Sequence, residues 1–382
     1  MNPTDRSAAH VLRQLVAGSL AAALAAPAPV LAQTAEAASA PASAAVPAID
    51  LTPPAQVAPV SVPADGLDLE NADALKGVRK LVLAGVALYV ITESSGGATA
   101  GVAFRDRSMA SVNTSLKLTG LDGARLQALA DEAHDRIAAA LKARGIEVVP
   151  LAELRALPEY AELAALGDQA PLAIDASAGK GTVYSGRGLP LIHMGELAWL
   201  NRTVGGLFGA KVEDPYISFG DNVAGGFRKG KLDPVLDKLG KASGASVAMV
   251  RIVLSAAQVK ASGGAWSLGA STSVRDTLVM PAWTNRIWLL TPKGDKARAS
   301  LKFPLVSETP PGRIVDVTST AAKVADVATT VLTFAAAMSG VGRGVAQSTK
   351  ELELRTSPEW FDAVARPQVD AALQGLAQAL AP

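Results

Sequence analysis

The sequence predicts an α/β (or α+β) fold in which helices pack on a mixed sheet containing an antiparallel meander, with a helical C-terminus. Three features support this prediction. Strand-like apolar runs alternate with helical patterns between residues 78 and 166, strand patterns follow one another from 247 to 305, and apolar residues recur at helical spacing after residue 316. The 382 residues are enough to bury a core without disulfides, and the chain contains no cysteine.

The start of the chain has the three parts of a secretion signal. Two arginines precede an apolar stretch at 16–26, and Val30 and Ala32 place small residues before a cleavage site. We therefore expect a cleavable signal peptide at residues 1–32 and a periplasmic or secreted protein. An alanine-rich disordered tail is the alternative reading of this segment.

Residues 33–68 are rich in alanine and proline and carry few charges. A stretch of this composition cannot pack a core and favours extended conformations. We expect a disordered linker there, followed by a single α/β domain at 69–382 whose C-terminal helices begin at about residue 316. A proline-rich recognition motif is disfavoured because no P-x-x-P sequence is flanked by basic residues.

The first strand-like run is the apolar, β-branched segment 78–92, and we expect the serines and glycines at 94–97 to end it. Residues 111–118 alternate apolar and polar side chains, which predicts a second strand. Asp122 can cap a helix that runs to Arg144. One apolar stripe along this helix is formed by Leu126, Leu129, Ala130, Ala133, Ile137 and Leu141.

A short strand at 146–149 and a helix at 151–166, broken by a proline, are expected next. Residues 167–188 have the composition of a loop. A further helix is predicted at 196–208, and a second glycine-rich loop is predicted to extend to Lys231.

Strand patterns at 247–259, 266–274, 287–291 and 297–305 predict a four-stranded antiparallel meander with one solvated face. The apolar spacing at 324–342 predicts a core helix, and a membrane-inserted helix is the alternative.

Residues 350–355 are typical of an edge strand. Ser357 and Pro358 are a good helix start, and we expect Pro367 to kink or divide that last helix. Its apolar stripe is formed by Val369, Leu373, Leu376 and Leu380.

The strand LVLAGVALYVIT, the helix LQALADEAHDRIAAALKARG and the following IEVVPLAEL lie within residues 80–165. This segment resembles the α/β unit of the curli-secretion-channel lipoproteins and the N-terminal domain of TolB-like periplasmic proteins. The resemblance implies a periplasmic protein in which this segment packs as an α/β unit. It assigns no functional residues. Since no cysteine follows the predicted signal, we expect no lipid anchor of the lipoprotein type.

The charge of the chain argues against nucleic acid as a partner. Removing Arg6, Arg13 and Asp5 with the predicted signal leaves 34 basic and 34 acidic residues, from 36 and 35 in the whole chain. Nucleic-acid-binding proteins usually carry a basic excess or a basic stripe. We therefore expect no nucleic-acid partner.

No pattern in the sequence is typical of an active site. His134 and His193 lack a carboxylate at ligand spacing, and no G-x-S-x-G motif occurs. The glycines around Lys180 lack the first glycine of a phosphate-binding loop, because Ile174 stands in its place. We therefore expect no catalytic, cofactor-binding or metal-binding residues.

The best candidate for a ligand or partner contact is the glycine-rich segment 175–188. It contains Asp175, Lys180, Tyr184 and Arg187, and glycine allows a backbone to approach a ligand closely. An ordinary solvent-exposed loop is the alternative reading.

These features predict a non-enzymatic, exported envelope protein that acts through contacts with other envelope or secreted proteins. One alternative is a membrane-associated envelope or secretion component. Another is a hydrolase or small-ligand-binding protein whose site is assembled from distant residues, which a deep pocket lined by converging carboxylates would favour.

Overall fold

The computed structural model describes residues 49–100, 109–192, 219–262, 270–319, 326 and 345–380. The predicted signal peptide at 1–32, residues 33–48 of the predicted linker, the predicted helix at 196–208 and all but one residue of the predicted helix at 324–342 lie outside these residues. The described residues from Asp50 onward belong to one compact unit.

A mixed sheet of thirteen strands forms the centre of the described part of the chain, which confirms the predicted fold class. The strands are β1 (Leu67–Glu70), β2 (Lys80–Ala100), β3 (Met109–Thr119), β4 (Glu147–Val148), β5 (Leu172–Ala176), β6 (Gly179–Ser185), β7 (Ser246–Ser255), β8 (Gln258–Ser262), β9 (Ser271–Arg275), β10 (Val279–Met280), β11 (Arg286–Leu290), β12 (Lys296–Leu301), β13 (Leu305–Val306), β14 (Arg313–Asp316) and β15 (Val345–Arg355). The main path through the sheet is β1-β12-β11-β7-β2-β3-β15-β14, and β8 and β9 form a separate two-stranded sheet.

Helices pack on this sheet. They are α1 (Gly123–Ala143), α2 (Leu151–Ala156), α3 (Pro158–Leu166), α4 (Phe219–Ser243) and α5 (Pro358–Gln378), with short 3-10 turns at Ala72–Leu75 and Gly186–Gly188. Helix α1 contacts β2 and α5, whereas α4 contacts α3, β7 and β11.

Strand β2 lies at the centre of the sheet and is longer than predicted. It pairs in parallel with β7, whose ten residues are all buried. The predicted strand at 78–92 is confirmed, but its predicted end at 94–97 is wrong because β2 continues to Ala100. A Cβ on Gly96 would lie 2.8 Å from Val259 Cγ1, so the missing side chain allows β8 to pack against β2.

The amphipathic helix predicted from Asp122 to Arg144 is confirmed as α1. Asp122 Oδ1 accepts a hydrogen bond from the Arg125 backbone N–H at 2.7 Å, and the six residues of the predicted apolar stripe are buried. The strand predicted before it is confirmed as β3. The short strand and the broken helix predicted after it are confirmed as β4 and as α2 with α3.

Helix α5 runs parallel to α1, and ion pairs join the two along their length. Arg125 at the start of α1 pairs with Asp362, and Arg136 farther along α1 pairs with Asp370. Arg366 of α5 also contacts Asp362, at 3.1 Å. Parallel helix dipoles repel each other, so alternating charges between the helices help to hold this arrangement.

The end of the chain follows part of the prediction. Ser357 caps α5 as expected, and the predicted apolar stripe is buried, but α5 continues through Pro367 as one helix. The predicted edge strand at 350–355 is wrong in its position, because β15 lies between β3 and β14. The pairing of β15 with β3 joins segments more than two hundred residues apart, which a local pattern cannot reveal.

Two further predictions need correction. Strands β7, β11 and β12 pair antiparallel as predicted for the meander, but β9 pairs with β8 outside this sheet. The glycine-rich loop predicted to extend to Lys231 is wrong from Phe219 onward, where α4 begins. The buried face of α4 is formed by Leu232, Leu236 and Leu239, so burial of these leucines offsets the low helix propensity of the glycines.

Residues 50–66 run along the domain without regular secondary structure. Leu51, Val57, Val60 and Val62 are partly buried against the main core. The Ala58 backbone N–H donates a hydrogen bond to Thr309 Oγ1 at 3.3 Å. This stretch therefore packs on the domain, although the sequence predicted a disordered linker up to residue 68.

Candidate functional site

A cavity of about 210 Å³ lies on one face of the central sheet. Side chains alternate between the two faces of a strand, and the register identifies the cavity face. One row across the sheet consists of Gly85, Met249, Trp288, Arg298 and Glu70. We call it the tryptophan row, and all five of its residues line the cavity.

The neighbouring row lies two residues farther along the same strands. Ala87 of β2 pairs with Arg251 of β7, which pairs with Arg286 of β11. We call it the arginine row, and these three residues also line the cavity. The two rows are separated by roughly 6.6 Å, from a strand rise of about 3.3 Å per residue.

The opposite faces of the same strands are apolar. Val86, Leu88, Val250 and Ile252 belong to the main hydrophobic core. By contrast, Ala87 belongs to a second, smaller cluster together with Tyr89 and Val253. The strands are therefore buried on both faces of the sheet, except where the cavity lies on one face.

Arg251 is the most buried cation of the site, with only 8% of its surface exposed. Its guanidinium carbon lies 4.4 Å from the centre of the Tyr89 ring, which is itself buried. The electron-rich face of the ring attracts the guanidinium and offsets part of the cost of burying its charge. The Tyr89 ring therefore packs against the Arg251 guanidinium and helps to hold it in the cavity.

Ion pairs with neighbouring elements hold the rim of the cavity. Arg298 lies 3.0 Å from Glu70 on the edge strand β1, and the Glu70 side chain is 67% exposed. Lys296, at the start of β12, pairs with Asp233 of α4. Both pairs are at least partly exposed, so solvent screens them and they contribute little to stability.

The described lining of the cavity is mainly cationic. Among its described residues, four are cationic (Arg251, Arg286, Lys296 and Arg298), and one is acidic, Glu70. Guanidinium and ammonium groups bind anions through charge-assisted hydrogen bonds, so this lining is suited to hold a negatively charged group.

The four residues predicted for a contact loop do not form one site. Asp175 and Lys180 face each other across the β5–β6 hairpin, with Oδ2 and Nζ 4.0 Å apart. Tyr184 lies farther along β6, is buried in the main core, and burial raises its pKa. Arg187 follows β6 and contacts helix α1 instead.

Arg187 ties the turn after β6 to α1. Its backbone N–H donates to Asp131 Oδ1 at 2.6 Å, and its Nε donates to Asp135 Oδ1 at 3.1 Å. The hydrogen bond from Arg187 lowers the pKa of Asp135, and a hydrogen bond from His134 lowers it further. Arg187 therefore has a structural role that accounts for its contacts.

The loop predicted at 167–188 is wrong, because this segment contains β5 and β6. Glycine is required here for close pairing with β2 and does not mark a turn. A Cβ on Gly181 would lie 2.1 Å from the Val90 carbonyl oxygen, and one on Gly179 would lie 2.1 Å from the Glu93 carbonyl oxygen.

Sequence reasoning missed the cavity, although one signal was present. Arg251 interrupts an otherwise apolar strand, and a charge is rarely buried without a reason. The alternation of Arg286 with Trp288 and of Lys296 with Arg298 adds to this signal. These side chains meet at one cavity only because of the strand register, and the register cannot be read from the sequence of a single strand.

In the part of the chain that the structure describes, no group of three or more histidine, aspartate or glutamate side chains could hold a metal ion. No helix among the same residues combines the length and the apolar character needed to cross a bilayer. Searches for matches to the chain among protein-family models, curated proteins and solved structures found none.

Proposed function

We propose that this chain is an exported, non-enzymatic binding protein of the cell envelope that holds a small anionic ligand in the cavity between Arg251 and Trp288. The observation that carries the proposal is the placement of Arg251 and Arg286 side by side on one face of the sheet, at the cavity. The predicted signal peptide supports the export component of the proposal.

Arg251 and Arg286 stand opposite each other on neighbouring strands, so one anion can contact both guanidinium groups. It would accept charge-assisted hydrogen bonds from both. Guanidinium groups are well suited to this role because they can hold a carboxylate or a phosphate with two parallel N–H donors.

The rival functions receive different support. The cavity favours small-ligand binding over the predicted action through protein contacts alone. A hydrolase would be favoured by converging carboxylates, whereas the described lining is mainly cationic. Membrane association through residues 324–342 concerns a segment outside the described residues, so it stays a prediction.

Thermal unfolding of the purified protein in a series of anions tests the proposal. The series contains acetate, benzoate, succinate and inorganic phosphate at equal ionic strength. A ligand that binds only the folded state raises the unfolding midpoint as its concentration exceeds its dissociation constant. We expect at least one anion to raise the midpoint of the native protein.

The variant Arg251→Met removes the charge while keeping most of the side-chain volume, and it should abolish this rise. Lys117→Met is the matched control, because Lys117 is exposed on β3 and does not line the cavity. A series in which no anion raises the midpoint of the native protein would refute the proposal. So would a rise that persists in Arg251→Met.

A further inference from the structure

We infer that the ligand is a planar, single-ring carboxylate, with its carboxylate at the arginine row and its ring at the tryptophan row. This inference rests on the proposed function and specifies the chemical class of the ligand. It combines the size of the cavity, the order of the two rows, and the missing side chain at Gly85.

The cavity has room for about one ring. An apolar protein cavity of about 150 Å³ is large enough for benzene. The present cavity, at about 210 Å³, therefore has room for a six-membered ring and one small charged substituent. A nucleotide or an oligosaccharide would extend well beyond it.

The order of the rows separates the two ends of the ligand. Arg251 and Arg286 offer guanidinium groups at one end, and Met249 and Trp288 offer polarisable surface at the other, beside the Arg298–Glu70 pair. The spacing of the rows along the strands, roughly 6.6 Å, is comparable with the length of one ring bearing a carboxylate. Aromatic rings interact favourably with indole and with thioether sulfur, which favours an aromatic over a saturated ring.

Gly85 provides the space for the ring. It stands opposite Met249 in the tryptophan row, next to a register shift between Leu83 and Gly85. A Cβ at this position would meet the Pro190 carbonyl oxygen at 3.6 Å and Met249 Cγ at 3.8 Å, which are ordinary contact distances. The protein could therefore accept alanine here without strain, and the added methyl group would narrow the cavity.

Isothermal titration calorimetry with matched probes tests the inference. The probes are benzoate, cyclohexanecarboxylate, acetate, inorganic phosphate and the uncharged benzyl alcohol. We expect benzoate to bind about tenfold or more tightly than the other anions, because acetate and phosphate do not reach the tryptophan row and cyclohexanecarboxylate lacks an aromatic face. Benzyl alcohol should show no measurable heat, since it lacks the charge that the arginine row requires.

Two variants locate the ring. Trp288→Leu should weaken benzoate about threefold to tenfold, the value of one aromatic contact, and leave acetate unchanged. Gly85→Ala should weaken benzoate about tenfold through the lost space and also leave acetate unchanged. Gly230→Ala is the matched control for Gly85→Ala, because nothing lies within 4 Å of a Cβ at Gly230 in α4.

The outcomes separate this inference from the proposed function. Equal affinity for benzoate and for acetate, phosphate or cyclohexanecarboxylate, lost in Arg251→Met, would overturn the planar-ring inference and leave the anion site standing. Benzoate binding unchanged in both Trp288→Leu and Gly85→Ala would also overturn it. If none of the anions binds, the proposed function fails and the inference fails with it.

Discussion

Arg251 stands directly opposite Arg286 on the neighbouring antiparallel strand, and both side chains line the same cavity. Cross-strand neighbours have Cβ atoms about 5 Å apart, so two positive charges share one small volume. One small anion can therefore contact both guanidinium groups, and the proposed function depends on this placement.

Arg286→Met should weaken the binding of the preferred anion about tenfold to a hundredfold, because a hydrogen bond to a charged group contributes about 1.5–3 kcal/mol. The dissociation constant can be measured by calorimetry. Arg275→Met, on exposed β9, is the control and should bind as the native protein does. Equal losses in the two variants would indicate a nonspecific effect of net charge.

Glu70→Gln should strengthen anion binding about twofold to threefold, since exposed ion pairs are worth up to about 1 kcal/mol. The Glu70 carboxylate lies 3.0 Å from Arg298 and competes with a ligand for positive charge at the rim. Asp73→Asn is the matched control, because Asp73 pairs with Lys76 at 2.8 Å outside the cavity lining. Weaker binding in Glu70→Gln would show that Glu70 contacts the ligand favourably.

Asp362→Asn should lower the free energy of unfolding by about 3 kcal/mol, because breaking a buried ion pair leaves uncompensated charge. The Asp362 side chain is 8% exposed and contacts Arg125 and Arg366 between α1 and α5. Asp370→Asn is the control, and its 36% exposure predicts a loss below about 1 kcal/mol. Chemical denaturation measures the free energy of unfolding of both variants. Equal losses would contradict the claim that burial makes the ion pairs of Asp362 more important for stability than that of Asp370.

Gly181→Ala should lower the free energy of unfolding by about 1–3 kcal/mol or more, because its Cβ would overlap the Val90 carbonyl oxygen. Gly230→Ala, in an open helical position, should be neutral or stabilising by up to about 1 kcal/mol. Chemical denaturation again provides the comparison. If Gly181→Ala were as stable as the native protein, the close pairing of β6 with β2 would be contradicted.

The parts of the fold that the sequence predicted well depend on local patterns. Helix α1 follows from its cap at Asp122 and from apolar residues that repeat every three or four positions. Strands β2 and β3 follow from apolar and alternating runs. Each signal lies within about twenty residues and does not require knowledge of distant partners.

The parts that the sequence did not predict depend on distant partners. Gly181 lies in a segment that has the composition of a loop. Only the close contact of Gly181 with β2 explains why glycine belongs in this strand. The placement of β15 beside β3 and the departure of β9 from the meander are also set by pairing. The cavity depends on register across five strands, so Arg251 and Arg286 are neighbours only after folding.

The most direct test of the central claim, that the cavity holds a small anion, is a crystal structure of the protein grown with benzoate. We predict a carboxylate within hydrogen-bond distance of Arg251 and Arg286. Density for benzoate only at other sites, or an empty cavity at a benzoate concentration that saturates binding in solution, would contradict the account.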